Sequence, residues 1–200
     1  MVLTVEILCS AYAQGYFPMP NSETGEIEWY RPDPRAIFPL DGFHVSKSLR
    51  KTIRSNVYAV TYDRAFERVM RECAKRGPDE TWITEEFVEA YTEMHRKGLA
   101  HSVEVWGGEE LVGGTYGVAL GGAFFAESKF HRKTDASKVA LYSLVERLKA
   151  TGYALLEVQF LTPHLESLGA IAIPDEEYVE KLTAAIARRP TPFVIDEATR

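Results

Sequence analysis

The residue patterns point to an α+β fold. Apolar residues at helical spacing open the chain and recur along it. A glycine-punctuated stretch of alternating apolar residues lies in the middle. One long helical pattern then separates that stretch from a last, strongly apolar strand. Val5, Leu8, Cys9 and Tyr12 make Thr4 to Gln14 a helix that Gly15 stops. Proline, aromatics and turn residues dominate from Tyr16-Phe17-Pro18-Met19-Pro20 to Trp29-Tyr30-Arg31-Pro32-Asp33-Pro34-Arg35. Ser46 to about Arg54 reads as a helix, Val57 to Tyr62 as a strand, and Asp63 as the cap of a helix running to about Lys75. Residues 76–80 form a loop. Thr84 caps the next helix, with Glu85 and Glu86 in the first turn where the dipole favours them, and Gly98 ends it. His101–Trp106, Leu111–Ala119 and Ala123–Glu127 are strands, turned at Gly107-Gly108 and Gly121-Gly122. A helix from Ala136 to Thr151 ends at Gly152, and Leu155 to Leu161 is a strand. Thr162-Pro163 starts a short helix in cap-then-proline order, and a last helix runs from Pro174 to Ala187. The chain divides into a small N-terminal sub-domain, 1–57, a larger domain, 58–187, and an irregular tail, 188–200.

Composition narrows the function classes. With 200 residues, 46% hydrophobic and 26% charged, the chain is globular rather than disordered or low-complexity. Such a chain buries roughly 70% of its unfolded surface and needs no disulfide or metal staple. A net charge of −6 argues against a whole-surface nucleic-acid binder but leaves room for a local basic patch. Cys9 and Cys73 form neither a disulfide framework nor a metal-ligand spacing, so a reducing, cytoplasmic compartment is expected. The five histidines show no ligand pairing, and no metal or cofactor is expected. Residues 1–14 lack a basic n-region and Glu6 interrupts their apolar stretch, so no signal peptide is read there. No run approaches the roughly 20 apolar residues of a membrane span, so no membrane partner is expected. The chain is read as a monomer.

Three constellations carry chemistry. Lys47, Arg50, Lys51 and Arg54 fall at i, i+3, i+4 and i+7, lining one helix face. Residues 31–54 hold six basic and two acidic side chains, a local charge of +4. This is either a phosphate-backbone footprint or a solvated helix face. Residues 155–187 carry six acidic side chains against Lys181, a local charge of −5 suited to a basic partner. In the apolar strand, period-2 alternation puts Glu157 and Gln159 on one side and Leu156, Val158 and Phe160 on the other. That pair either orients an amine or carbonyl or forms a satisfied core hydrogen bond. Glu127, at the end of an aromatic strand, is either an ammonium site or a surface glutamate.

Taken together, the residues resemble the leucyl/phenylalanyl-tRNA–protein transferases, bacterial enzymes of the N-end rule pathway. The matching strings run from Ala11-Tyr12 and Gly15-Tyr16-Phe17-Pro18 through Trp29, Pro32-Asp33-Pro34-Arg35-Ala36 and His44-Val45-Ser46-Lys47-Ser48. They continue with Thr81-Trp82-Ile83-Thr84, Glu89-Ala90-Tyr91, His101-Ser102-Val103-Glu104-Val105-Trp106 and Leu111-Val112-Gly113-Gly114. Tyr116-Gly117, Glu127-Ser128 with Phe130, Ala136-Ser137-Lys138, Gln159, His164 and Gly169-Ala170 complete the pattern. The resemblance implies an acetyltransferase-like (GNAT-type) domain behind a small N-terminal one. It implies transfer of Leu or Phe from an aminoacyl-tRNA to a protein with N-terminal Arg or Lys, which marks that protein for degradation. The catalytic pair then falls on Glu157 and Gln159, and the tRNA-binding helix on Lys47, Arg50, Lys51 and Arg54. Glu127 would bind an ammonium group. Phe124, Leu141, Leu144 and Leu156 would form the side-chain pocket, with Tyr116 and Lys129 also at the substrate, and Trp29 and Trp106 would stack on the terminal adenosine. The pattern departs at Glu157, where the family usually carries Asp, and at Lys129 and Thr115, where Met occurs. The alternatives are an acyl-CoA-dependent N-acetyltransferase on the same kind of fold, or a non-catalytic tRNA-binding relative. The stretch from Lys129 to Ser137 has no glycine for a pyrophosphate loop, which counts against the acetyltransferase.

Overall fold

A computed structural model describes residues 3–21, 24–75 and 82–194. The elements in chain order are α1 (Val5–Ala13), β1 (Phe17–Pro20), β2 (Ile27–Tyr30), β3 (Arg35–Phe38), α2 (Lys47–Arg54), β4 (Ala59–Tyr62), α3 (Phe66–Cys73) and α4 (Glu85–Arg96). Then come β5 (Ala100–Gly107), β6 (Glu110–Leu120), β7 (Ala123–His131), α5 (Ala136–Thr151), β8 (Leu155–Glu157), α6 (Pro163–Ser167), β9 (Ile171–Ile173) and α7 (Asp175–Ile186). Strands β1 and β2 pair as a separate hairpin, and the other seven form one mixed sheet ordered β4-β5-β6-β7-β8-β3-β9. The α+β expectation holds. Among the described residues no helix is long and apolar enough to cross a membrane.

The sheet separates two apolar layers. Val118, Phe125 and Leu155 face α1, α3, α4 and α7, while their neighbours Ala119, Phe124 and Leu156 face α5 and α6. This is the period-2 alternation of strands buried on both sides. Helix α2 packs at the N-terminal end of α5 through Leu49, which is fully buried. Strand β3 sits between β8 and β9, so the large sheet draws residues from both sides of position 57.

Most helices lie where their punctuation placed them. Thr4, Ser46 and Thr162 cap α1, α2 and α6 with side-chain hydrogen bonds, and Gly152 closes α5 in a left-handed conformation. Four expectations are corrected. Asp63 does not cap α3: its carboxylate accepts the Ser102 N–H at 2.8 Å and pairs with His101 Nδ1 at 2.7 Å, and the helix starts at Phe66. Strand β7 continues past Glu127 to His131. Strand β8 stops at Glu157 instead of Leu161, because the backbone turns at Gln159, whose φ is 56°. Strands β1, β2, β3 and β9 were not foreseen, each being only three or four residues long and too short for a period to register. The 76–80 loop lies outside the described residues.

Candidate active site

The site forms where two strands part. Strands β7 and β8 run parallel, and their register ends at Phe125↔Glu157. Beyond it β7 continues to His131, while residues 158–159 swing across to β3: Val158 N–H donates to Ala36 O at 3.0 Å and Ala36 N–H to Gln159 O at 3.1 Å. A cavity of about 270 Å³ opens in the gap. Phe17, Met19, Trp82, Leu141, Val158 and Leu165 give it an apolar wall. Glu127, Gln159 and Lys129 stand on its polar side.

Glu127 owes its position to a β-bulge. Tyr116 pairs with Ser128 and Gly117 with Ala126, so Glu127 falls between two rungs of the β6–β7 ladder with no partner across it. Bulges re-aim side chains next to active sites. The bulge needs its glycine, since a Cβ on Gly117 would lie 2.2 Å from Phe125 O. The Glu127 carboxylate accepts the Tyr12 hydroxyl at 2.6 Å, Tyr12 and Tyr91 share a hydrogen bond of 2.5 Å, and Gln159 Nε2 donates to Glu127 Oε1 at 3.2 Å. Burial raises the Glu127 carboxyl to about 8; the Tyr12 hydroxyl opposes the rise and the Glu157 charge adds to it. The same burial lifts both tyrosine hydroxyls far above their ordinary range, so they act as neutral donors.

Glu157 is 1% exposed and its partner Arg35 is 0% exposed. Arg35 Nη1 donates to Glu157 Oε1 at 3.1 Å and Nη2 to Gly15 O at 2.5 Å, with the guanidinium set over the rings of Tyr178 and Phe17. Glu157 Oε1 also accepts the Gln159 backbone N–H at 2.8 Å, and Tyr178 donates to Oε2 at 3.5 Å. Burial pushes the Glu157 carboxyl up, and the Arg35 charge together with these donors pulls it back. Glu157 and Gln159 therefore do meet, though through a turn rather than a pleat. Phe160, expected to share a face with Leu156 and Val158, instead packs edge-on against Phe17 at the cavity and is 48% exposed.

The other sequence candidates divide. Leu141 and Lys129 line the cavity. Phe124, Leu144 and Leu156 lie in the core on the α5 side of the sheet, outside the cavity lining, and Tyr116 is buried against Phe66 and Tyr91 on the other side. Trp29 lines a shallow recess beside α1, and Trp106 is tied at the end of β5 by its Nε1–H to Thr61 Oγ1 at 2.8 Å. Neither tryptophan reaches the cavity. Trp82 does, and so do Phe17 and Met19; all three stand in the strings or segments noted above, where no role was assigned to them. Arg35 was also missed as the partner of Glu157. A lone arginine heading the apolar run Ala36-Ile37-Phe38 was the available signal, because such a charge must be paired once buried.

Helix α2 carries Lys47, Arg50, Lys51 and Arg54 exposed together around one shallow recess, and none of the four forms an ion pair with a described residue. Arg31 and Arg35 do not extend that patch, since they bind Asp175 and Glu157. The acidic segment loses the same two charges. Asp63, His95 and His101 bring candidate ligand atoms within 4.8 Å of one another. Both Asp63 oxygens are already engaged by His101 and Ser102, and His95 Nδ1 lies 2.8 Å from Ala100 O, so the cluster is satisfied as a hydrogen-bond network.

Two family models match: one described as leucyl/phenylalanyl-tRNA protein transferase over residues 37–183, the other as its N-terminal domain over residues 1–33. Leucyl/phenylalanyl-tRNA–protein transferases of Herpetosiphon aurantiacus and Rubrobacter xylanophilus are each 53% identical, covering 92% and 93% of this chain and 95% and 96% of their own lengths. The namesake from Gloeobacter violaceus is 50% identical over 94% of this chain and 96% of its own. Among solved structures, L-PGS from Bacillus licheniformis aligns at 15% identity with a TM-score of 0.43, over 82% of this chain and 55% of that one.

Proposed function

The chain belongs to the leucyl/phenylalanyl-tRNA–protein transferase family, and from that membership we propose that it moves Leu or Phe from its tRNA to the N-terminal Arg or Lys of a protein, marking it for degradation. The observation that carries this reading is the convergence of Glu127, Gln159 and, behind them, Glu157 on the polar side of an apolar cavity. The donor is already activated as an ester. The acceptor α-amine, with an ordinary pKa of about 7.7–8.0, is partly free base near neutral pH. Its nitrogen attacks the ester carbonyl carbon, the amide C–N bond forms, the C–O bond to the ribose breaks, and the released hydroxyl takes a proton as the nitrogen loses one.

The apolar walls take the donor side chain, and a cavity just below the usual size of ligand pockets suits one amino-acid residue. Trp82 offers the aromatic face for the terminal adenosine. Gln159 orients the reacting groups, held by the hydrogen bond from its backbone to Glu157. Glu157, locked to Arg35, is a positioning residue. The proton-handling role passes to Glu127, whose affinity for a proton matches that of the amine it faces. Holding amine and ester in contact supplies several kcal/mol of the barrier.

Purified protein offered charged tRNAs and peptides beginning with Arg, Lys, Asp or Glu tests the whole reading. Transfer of Leu or Phe to the Arg and Lys peptides is expected, falling at least 100-fold in Glu157→Ala and Gln159→Ala. Near-wild-type rates in both variants, or transfer only to the acidic peptides, would sink it. The basic helix has its own test. Neutralising Lys47, Arg50, Lys51 and Arg54 removes about four phosphate contacts, so the slope of log K against log salt for tRNA binding should fall by roughly 3–4. An unchanged slope removes the helix from the tRNA interface.

A further inference from the structure

The catalytic cavity is not the largest concavity in the described chain. A cleft of about 980 Å³ lies next to it, and Lys129 lines both. Among the described residues the cleft is lined by five cations, Lys75, Lys129, Arg132, Lys133 and Lys138, against two carboxylates, Glu72 and Asp135; His131, His164, Thr134 and Ser137 add neutral polar groups. Glu72 is shared by Lys75 and Arg132, Asp135 takes Lys138 at 2.9 Å, and Glu110, outside the lining, takes Lys133 at 3.1 Å, so five cations meet three carboxylates and positive charge is left in excess. The field reaches His164, whose imidazole is held below its ordinary value by burial and then by Lys129, Lys138 and His131.

The cleft is tied to α2 at its other side. Thr52 and Ser48 of α2 donate to the Asp135 carboxylate at 3.2 and 3.5 Å, and the Tyr58 hydroxyl donates to Thr134 O at 2.9 Å. Helix α2 thus meets the 134–135 loop through Ser48 and Thr52, on the flank of its basic face; that loop lines the cleft, and the cleft meets the cavity at Lys129. An acyl-CoA pyrophosphate would need free backbone amides at the start of α5. That terminus holds Asp135 in a left-handed conformation, its carboxylate beside the helix end, so anions in this cleft must be met by side chains. Long flexible cations along a groove suit a single strand of phosphodiesters.

We propose that this cleft binds the phosphates of the unpaired nucleotides immediately before the aminoacylated adenosine, guiding the tRNA end from α2 into the cavity. The proposal rests on the transferase reading. Its test compares CpCpA with adenosine as inhibitors of transfer from aminoacyl-tRNA. In the wild type the trinucleotide should inhibit at a concentration at least tenfold lower, and the gap should close as salt is raised. In the Arg132→Gln/Lys133→Gln double variant, both substitutions being on half-exposed side chains, the gap should vanish. The variant's KM for aminoacyl-tRNA should rise about tenfold, while transfer from aminoacyl-adenosine, which has no phosphate, stays as in wild type. Equal inhibition of the wild type by the two compounds, or stronger inhibition by coenzyme A than by CpCpA, overturns the proposal. Wild-type protein that transfers from neither donor overturns the transferase reading itself, and this proposal with it.

Discussion

Replacing Arg35 by Met should destabilise the protein by about 3–5 kcal/mol, the usual cost of removing one partner of a buried ion pair. The loss exceeds that of the bond itself because Glu157 is left charged in an apolar surround with only the Gln159 N–H and the Tyr178 hydroxyl for company. The defect carries its own pH signature. Glu157 already binds its proton more tightly folded than unfolded, and without Arg35 it binds it more tightly still. The folded form then holds a proton that the unfolded form releases, so the penalty grows as pH rises from the unfolded carboxylate value through the raised folded one, and shrinks as pH is lowered. Urea unfolding of Arg35→Met at pH 5 and pH 8 checks this; a pH-independent loss would mean that packing against Phe17 and Tyr178 dominates. Adding Glu157→Leu should restore much of the stability and none of the transfer rate, because the charge is gone but so is the anchor for Gln159. That contrast separates the pair's structural role from its positioning role.

Glu127→Gln should cost 10²- to 10⁴-fold in transfer rate, the range for loss of a general base, while leaving the cavity's shape intact. The pH dependence is the sharper readout. In the wild type two groups lose protons in the same window, the acceptor amine and a carboxyl raised to about 8, so the rate should climb with a slope near two per pH unit below the plateau. In Glu127→Gln only the amine remains and the slope should fall to one. The stability effect has a worked sign. A carboxyl whose folded value is raised costs nothing below its unfolded value of 4.5, costs more as pH rises, and reaches its full cost above about 8. Glu127→Gln should therefore be more stable to unfolding than wild type at pH 9, by on the order of a few kcal/mol, and close to wild type at pH 4. A variant with an unaltered pH–rate slope removes Glu127 from proton handling.

How much of this could be read from residues alone depended on reach. The α5 boundaries were legible because a sixteen-residue helix shows its period and Gly152 ends it. Strand β3 was not, since four residues carry no period and its lead residue is an arginine. Glu157 and Gln159 were found by assuming a continuous strand, and they meet because the strand breaks. The apolar pocket was composed from residues that share a hydrophobic character with its wall: Leu141 is in that wall, but Phe124, Leu144 and Leu156 lie beneath it, because alternation tells which face a side chain takes and not where two strands separate. Trp82 and Phe17 were passed over for Trp29 and Trp106 for the same reason. The salt link from Arg35 to Glu157 spans 122 positions, a distance at which no local pattern exists.

The bulge at position 127 has one more consequence. Tyr116↔Ser128 and Gly117↔Ala126 are consecutive rungs, so the ladder is complete without the residue between them. Delete residue 127 and Ser128 follows Ala126 directly, still opposite Tyr116, every later rung keeps its partner, and Phe130 stays on its own face. The residue is thus a surplus letter in the strand, one that the pairing of the sheet does not require.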